Sequence, residues 1–199
     1  IPNISPNEPG GILLLDLEGD CWADGGADDI ACFTGFSTVV ICGSGTLRID
    51  GVGISIEGGG LSYLPALMID GVSLDCGGVY LAGRSCDSGT PELFVRSGSL
   101  ETDTLILAGD LCIAGGSVKT QYIDGAENAV FRGGTFETEQ WGDTAVPLLI
   151  LSGGDAACTD WLPQGTSIEV GAGTMTANGI RYWDTVHVYD GGEIVDLMD

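Results

Sequence analysis

Residues 93–110 read LFVRSGSLETDTLILAGD, residues 111–128 read LCIAGGSVKTQYIDGAEN, and residues 129–146 read AVFRGGTFETEQWGDTAV. These consecutive units have equal length, about 18 residues each, and one internal pattern. Each begins with an apolar-x-apolar triplet, passes through a glycine-containing turn that Ser or Thr closes, and continues with two more short apolar segments. A fixed short period of this kind predicts a β-solenoid in which each unit forms one coil.

The pattern extends beyond these units when short insertions are allowed. Toward the N-terminus, Leu67 with Ile69 repeats the first triplet, and we assign Leu47 with Ile49 to the same position. We predict about eight rungs, stacked at the ~4.8 Å spacing of β-strands into a prism on the order of 40 Å tall. One inward column is expected to contain Leu47, Leu67, Leu93, Leu111, Ala129, Leu149, Ile168 and Val186.

The predicted fold class is therefore all-β: a single-domain parallel β-helix, or β-solenoid, with three short strands in each rung of about 18 residues. Over about residues 47–195 the chain resembles, in architecture alone, parallel β-helix proteins, a group that includes pectate lyases, phage tailspikes and secreted adhesins. Pectate-lyase-like members typically have basic residues in a side groove. Because this chain has only 6 Lys and Arg residues, the resemblance does not favour a lyase.

Composition indicates one packed domain. The chain has 34 glycines and 44% hydrophobic residues, which suits a fold that turns every few residues around one core. We assign residues 1–28 to a Pro-rich arm and an acidic, Gly-rich cap, and residues 29–199 to the solenoid, with loop insertions near 85–92 and 159–167. No apolar run is long enough to cross a bilayer, so a soluble or peripheral protein without membrane insertion is expected.

The charge is strongly negative, with 29 acidic residues against 6 basic ones. Nucleic acids and anionic membranes bind through Lys and Arg, so this balance makes both unfavourable partners. A solvated acidic surface explains the excess. A DNA mimic would need acids spaced like phosphates, whereas these acids are scattered over turns and flanks.

An apolar stripe is predicted on the outside of the solenoid. Since the flanking residues of each first triplet point inward, the middle residue must point outward. Five consecutive middle residues are apolar, and Tyr80 and Ile106 on the third strand are expected beside them. Such a stripe indicates an interface, either of a homo-oligomer, with a trimer favoured, or with a larger protein assembly; the alternative is an insertion or the N-terminal arm that covers it. The middle residues are Met68, Phe94, Cys112, Val130 and Ile150.

Two further features are candidates for bound ions or cross-links. Asp16, Glu18 and Asp20 resemble the start of an EF-hand loop, which makes calcium a weak expectation beside a solvated acidic turn. The pattern departs from the EF-hand at its sixth and twelfth positions. Among seven cysteines, Cys76 and Cys158 share one inward repeat position and are expected to be buried, although a disulfide from Cys76 to Cys86 is the alternative in a secreted protein.

Catalytic motifs are missing from the sequence, and His187 is the single histidine. We therefore expect a non-enzymatic structural protein, outside the cell or on a virion surface, such as a decoration, a spike or a filament. The alternative is a small carbohydrate-binding or carbohydrate-active β-helix, and an enzyme of this kind would be a polysaccharide hydrolase or lyase. Its sugar-stacking groups would be Trp141, Trp161, Tyr182 and Trp183, although rung capping and core filling also explain these aromatic residues.

Overall fold

The computed structural model describes residues 11–24, 30–33, 36–51, 53–56, 66–81, 91–142, 148–162, 165–178 and 183–198. Within these ranges the strands pair in parallel and form one continuous sheet that winds as a β-solenoid, which confirms the predicted fold class. The strands are β1 (Gly11–Glu18), β2 (Cys21–Asp24), β3 (Ile30–Cys32), β4 (Phe36–Asp50), β5 (Gly53–Ser55), β6 (Leu67–Leu81), β7 (Pro91–Val95), β8 (Ser99–Leu107), β9 (Asp110–Ile113), β10 (Ser117–Asp124), β11 (Asn128–Phe131), β12 (Thr135–Trp141), β13 (Leu148–Leu151), β14 (Asp155–Trp161), β15 (Ser167–Val170), β16 (Gly173–Asn178), β17 (Thr185–Val188) and β18 (Gly192–Asp196).

The first face of the solenoid, face A, has nine stacked levels among the described residues. Its strands are β1, the start of β4, the start of β6, and then β7, β9, β11, β13, β15 and β17. Apolar side chains alternate inward along each strand and are fully buried at the middle levels, as Leu93, Leu111 and Leu149 show. One inward column contains Leu13, Val39, Leu67, Leu93, Leu111, Ala129, Leu149, Ile168 and Val186.

At the middle levels, the second and third strands that we predicted for each rung form one continuous strand. Strand β8 covers both face B, which begins at Ser99, and face C, which ends at Leu107. The corner is at Asp103 and Thr104, where two consecutive residues point away from the core and interrupt the in-and-out alternation. Strands β10 and β12 bend at the equivalent positions.

Small hydrogen-bonding side chains line the inside of this corner. The hydroxyls of Thr102, Thr120 and Thr138 donate to the carbonyl oxygens two residues further along, at 3.1, 2.9 and 3.1 Å. The thiols of Cys76 and Cys158 make the equivalent contact at 3.6 and 3.4 Å. Because a buried carbonyl oxygen without a donor is costly, a short side chain with a donor stabilises this corner at five successive levels.

The turn from face A to face B requires glycine. Gly116 has a positive φ of 79°, and a Cβ at this position would collide with the carbonyl oxygen of Gly98 on the preceding rung. Gly98 and Gly134 occupy the same turn on the adjacent rungs, with φ of 87° and 77°. The glycine in each repeat therefore permits both the left-handed backbone and the close stacking of neighbouring turns.

The predicted register is correct from Leu67 onward and wrong before it. Leu47 pairs with Leu74 on face B, and the residue that precedes Leu67 in the inward column is Val39. The error arose because β4 is extended across two faces, so both triplets, Val39 to Ile41 and Leu47 to Ile49, show the apolar-x-apolar pattern. Val186 belongs to the column as predicted, but its side chain is 38% exposed, and among the described residues no strand is stacked on the far side of β17.

The solenoid also includes more of the N-terminal region than predicted. Strands β1 and β2 both pair with β4, so residues 11–24 belong to the sheet, although the sequence pattern suggested an arm and a cap over 1–28. The two loop insertions are shorter than the predicted 85–92 and 159–167, because β7 begins at Pro91 and β14 extends to Trp161. Residues 1–10 and 82–90 lie outside the described ranges. No helix in the described part of the chain is long and apolar enough to span a membrane.

Candidate functional site

The predicted apolar stripe occupies the outward column of face A. Met68, Phe94, Cys112, Val130 and Ile150 are in register on consecutive strands, with one residue at each level. The same outward column continues toward the first level, where Val40 and Leu14 occupy it. The sequence pattern missed these two residues because it assigned the first rung to the wrong triplet. We use the name stripe for Leu14, Val40, Met68, Phe94, Cys112, Val130 and Ile150.

Most of the stripe is half-buried rather than fully exposed. Val40, Met68, Phe94, Val130 and Ile150 have intermediate exposure. Cys112 is only 7% exposed, so the prediction that its side chain forms open surface is wrong. Its side chain is short and lies between Phe94 and Val130 on the neighbouring strands, which cover it. The stripe is therefore a shallow apolar surface whose bulk comes from the larger side chains.

Charged residues lie along the stripe but do not interrupt it. Arg96 and Arg132 follow the inward residues of face A and are exposed, and Arg96 forms a 3.0 Å ion pair with Asp70. The pKa of the Cys112 thiol is raised, mainly because the thiol is buried. The charge of Arg132 lowers this pKa, and the charge of Asp110 raises it further. Both charges are therefore close enough to the centre of the stripe to affect its electrostatics.

Tyr80 and Ile106 do not belong to the same surface. They pair with each other on face C, and both are half-buried. Tyr80 extends across the backbone of Gly78, where a Cβ would collide with the tyrosine ring. The seven predicted interface residues therefore divide into five on face A and two on face C.

An acidic groove lies along the corner between faces B and C. Its volume is about 780 Å³, and β8, β10 and β12 supply most of its wall. A second cavity of about 360 Å³ shares Glu101 and Asp103 with it and extends toward Arg48, Asp50 and Asp75. Lys119 pairs loosely with Glu101 at 3.6 Å. The groove is lined by Glu101, Asp103, Lys119, Gln121, Tyr122, Glu137, Glu139, Gln140 and Asp160, among others.

The tryptophans proposed as sugar-stacking groups are core residues where the structure describes them. Trp141 is 4% exposed and packs against Phe136, with ring centroids 5.6 Å apart, and Trp183 is 8% exposed. Both are too deeply buried to stack on a sugar, which supports core filling as their role. The side chain of Trp161 and all of Tyr182 lie outside the described residues.

The acidic residues proposed for calcium do not form a site. Asp16 and Glu18 point outward from β1, and all three carboxylates are exposed. A carboxylate oxygen of Asp20 accepts a hydrogen bond from the N–H of Thr46 at 2.9 Å, so this residue ties the first rung to the second. In the described ranges no group of three or more His, Cys, Asp or Glu side chains is arranged to hold a metal ion.

The thiols and the histidine behave as ordinary structural or surface groups. Cys76 and Cys158 are buried free thiols, as their repeat position predicted, so the structure contains no disulfide from Cys76. Burial is the main reason that the pKa of Cys76 rises to about 12 and that of Cys158 to about 11. His187 is exposed on β17, with its ring 6.5 Å from that of Tyr189.

Comparison with family models, curated proteins and solved structures gave no significant match.

Proposed function

We propose that the protein is a non-enzymatic structural component that mounts an acidic β-solenoid on a larger assembly through the stripe of face A, as in a virion decoration or spike or an extracellular filament. One observation carries this proposal: the outward column of face A is apolar at seven consecutive levels in a chain whose formal net charge is −23. An apolar surface that continues over so many levels is typical of a contact with another protein.

The charge distribution favours another copy of the chain as the partner. Two molecules that each have a net charge of −23 repel unless they meet where carboxylates are sparse. Face B presents an acidic groove, whereas the stripe itself contains no carboxylate, and of the acids beside it Asp70 is paired with Arg96 and Asp110 lies near Cys112, as does Arg132. The stripe is also flanked by the exposed side chains of Arg96 and Arg132, and arginine is enriched at protein interfaces.

The apolar burial along the stripe is comparable to the cost of association. Fully burying a large apolar side chain contributes about 1.5–3 kcal/mol, so completing the burial of the half-buried Met68, Phe94, Val130 and Ile150 contributes on the order of 3–6 kcal/mol in each copy. Every copy in a contact buries its own stripe, so the total is similar in size to the cost of association, about 4–15 kcal/mol. The assembly we propose is a closed trimer with the stripe at the three-fold axis, in which every copy contacts two others.

The test compares two pairs of substitutions, one on the stripe and one on face C. Phe94→Ser with Ile150→Ser removes an aromatic and an aliphatic side chain from the stripe, whereas Tyr80→Ser with Ile106→Ser removes a similar pair from face C. We expect the first variant to lower the mass in solution, measured by light scattering, while its circular dichroism stays that of the wild type. The face C variant should keep the wild-type mass. A wild-type chain that is monomeric at high micromolar concentration, with no partner protein to restore association, would refute the proposal.

A second candidate function, binding of a neutral carbohydrate chain, is favoured by the groove on face B. Besides carboxylates, the groove contains the Tyr122 ring and the amides of Gln121 and Gln140, which suit hydroxyl-rich ligands. Tyr122→Ala should then abolish glycan binding measured by calorimetry, and Phe94→Ser should leave it unchanged. Failure of a broad panel of neutral glycans to bind the wild type would exclude this function.

A further inference from the structure

The two edges of face A carry opposite charges at its middle levels. We call the column just before the first inward residue of each strand the leading edge, and the column just after the second inward residue the trailing edge. On the trailing edge, Arg96 and Arg132 are exposed, and Ala114 occupies the level between them. From β7 onward one carboxylate belongs to the leading edge, that of Asp110; this edge contains Pro91, Asp110, Asn128, Leu148, Ser167 and Thr185.

Arg132 has no ion-pair partner in the described part of the chain. The ion pairs found there involve Arg48, Arg96 and Lys119. A guanidinium without a carboxylate beside it is unexpected in a chain with 29 acidic residues and 6 basic ones. Arg96 binds Asp70 through one nitrogen at 3.0 Å, and a guanidinium has several further N–H donors, so Arg96 can bind a second carboxylate.

The carboxylate of Asp110 is held in place but is not neutralised. It is half-buried, and one of its oxygens accepts a hydrogen bond from the side-chain amide of Asn128 at 2.8 Å. No basic side chain in the described ranges pairs with it. Glu92, the other acid near this edge, is 0% exposed and accepts a hydrogen bond from the backbone N–H of Ala108. Asp110 is therefore the negative charge that the leading edge presents to solvent.

Within one chain these opposite charges lie on opposite edges of the face. Asp110 begins β9, and Ala114 follows the same strand on the trailing edge. The four residues between the two positions span roughly 13 Å at about 3.3 Å per residue. Arg132 lies on the same edge as Ala114, one level further along the prism. A direct ion pair between Asp110 and Arg132 therefore requires two copies of the chain.

A parallel arrangement of copies brings the two edges together. When copies are related by rotation about an axis along the prism, the trailing edge of one lies beside the leading edge of the next at the same level. Asp110 then faces the small Ala114, between Arg96 and Arg132, which are two levels or about 9.6 Å apart. A two-fold axis perpendicular to the prism would instead bring like edges together.

From this complementarity we propose that Asp110 of one copy binds Arg132 of the next, with Arg96 on its other side, and that this pair fixes the parallel, in-register orientation of the assembly. The pair rests on the contact along the stripe proposed above and determines its direction. Charges beside an apolar contact set its orientation, because wrong arrangements bring like charges together at a high cost. The pair also offsets part of the repulsion between copies that each have a net charge of −23.

The first experiment reverses each charge separately. Arg132→Asp and Asp110→Arg should each weaken association about tenfold or more in sedimentation equilibrium, since each brings like charges together at every contact. The controls make the same changes in net charge on face B, with Lys119→Asp for the first variant and Asp103→Arg for the second. Both control residues are exposed and distant from the stripe, so association should stay within about threefold of the wild type. Asp110→Arg is the stricter test, because it makes the chain less negative and should still weaken association.

The second experiment tests for a direct pair. The double variant Arg132→Asp with Asp110→Arg has the net charge of the wild type and opposite charges across every contact, so it should recover most of the association. An equimolar mixture of the two single variants should associate more strongly than either alone, because the altered residue of one faces that of the other. Circular dichroism identifies any loss of fold. If Asp110→Arg unfolds, Asp110→Asn keeps an acceptor for the Asn128 amide and should weaken the wild type but not Arg132→Asp.

The outcome is separable from that of the stripe contact. A wild-type chain that does not associate would refute the stripe contact and the pair with it. A wild-type chain that associates, while Arg132→Asp and Asp110→Arg behave like their controls on face B, would overturn the pair alone. The pair would also be overturned if neither the double variant nor the mixture associated more strongly than the single variants.

Discussion

Removing one hydroxyl from the inside of the corner between faces B and C should measurably destabilise the solenoid. Thr120 is 3% exposed, and its hydroxyl lies 2.9 Å from the Tyr122 carbonyl oxygen and 3.2 Å from that of Asp103. Valine has nearly the same shape but no hydroxyl, so Thr120→Val keeps the packing and takes the donor away from a buried carbonyl oxygen. A buried acceptor left without its donor costs about 1–3 kcal/mol, and we expect ~1–2 kcal/mol because the second lone pair of the carbonyl oxygen is unaffected.

Two control variants isolate the hydrogen bond. Thr120→Cys restores a weak donor in a side chain that the solenoid already uses at this position in Cys76 and Cys158, so it should be less destabilising than Thr120→Val. Thr176→Val removes a hydroxyl from an outward position of face B and should change stability by less than about 0.5 kcal/mol. Urea unfolding followed by circular dichroism gives the free energies. A Thr120→Val variant as stable as Thr176→Val would refute the role of the hydroxyl.

The remaining predictions concern the core, the thiols and catalysis. Leu111→Asp buries an unpaired charge at a 0% exposed position and should unfold the chain, so a soluble variant with a cooperative melt would contradict the register. Because burial raises the pKa of Cys76 to about 12 and that of Cys158 to about 11 from 9.0, both thiols should resist alkylation in the folded protein while the exposed Cys21 reacts, as peptide mapping would show. The thiols of the unfolded chain ionise first, so stability should fall as the pH rises from 9 toward 12. Finally, reducing-end assays should show no cleavage of common acidic or neutral polysaccharides; reproducible cleavage, lost when one acidic pair is mutated, would contradict the structural role.

The sequence predicts the fold well wherever the rung length is constant. From Leu93 to Ala129 the repeat identifies every inward position, and the structure confirms the pairing residue by residue. Before Leu67 strand β4 continues from face A onto face B, and an apolar-x-apolar triplet no longer shows which face it belongs to. Alternation alone gives the side of a sheet on which a residue lies, and only a fixed period gives its level.

The candidate surfaces could be predicted only in part for a related reason. The order of the stripe follows from the repeat, because it needs only the inward-outward alternation. The exposure of each stripe residue does not follow from the repeat, because it depends on the sizes of the neighbouring side chains. The burial of Cys112 between Phe94 and Val130 is an example. The high exposure of Leu14 and Val188 was not predicted, because their strands have the same alternation as those of a middle rung. Alternation within one strand does not show whether another strand is stacked on it.

Charge and apolar surface divide the prism in a way that restricts its modes of assembly. The groove on face B concentrates carboxylates, so close lateral contact there would be opposed by repulsion between copies. In the described ranges, the exposed large hydrophobic side chains lie in the two end levels, and half-buried ones lie on the stripe and on face C, where they include Tyr80 and Ile106. The stripe runs parallel to the axis and therefore favours side-by-side packing. Side-by-side packing along the stripe would leave the acidic groove of face B in contact with solvent.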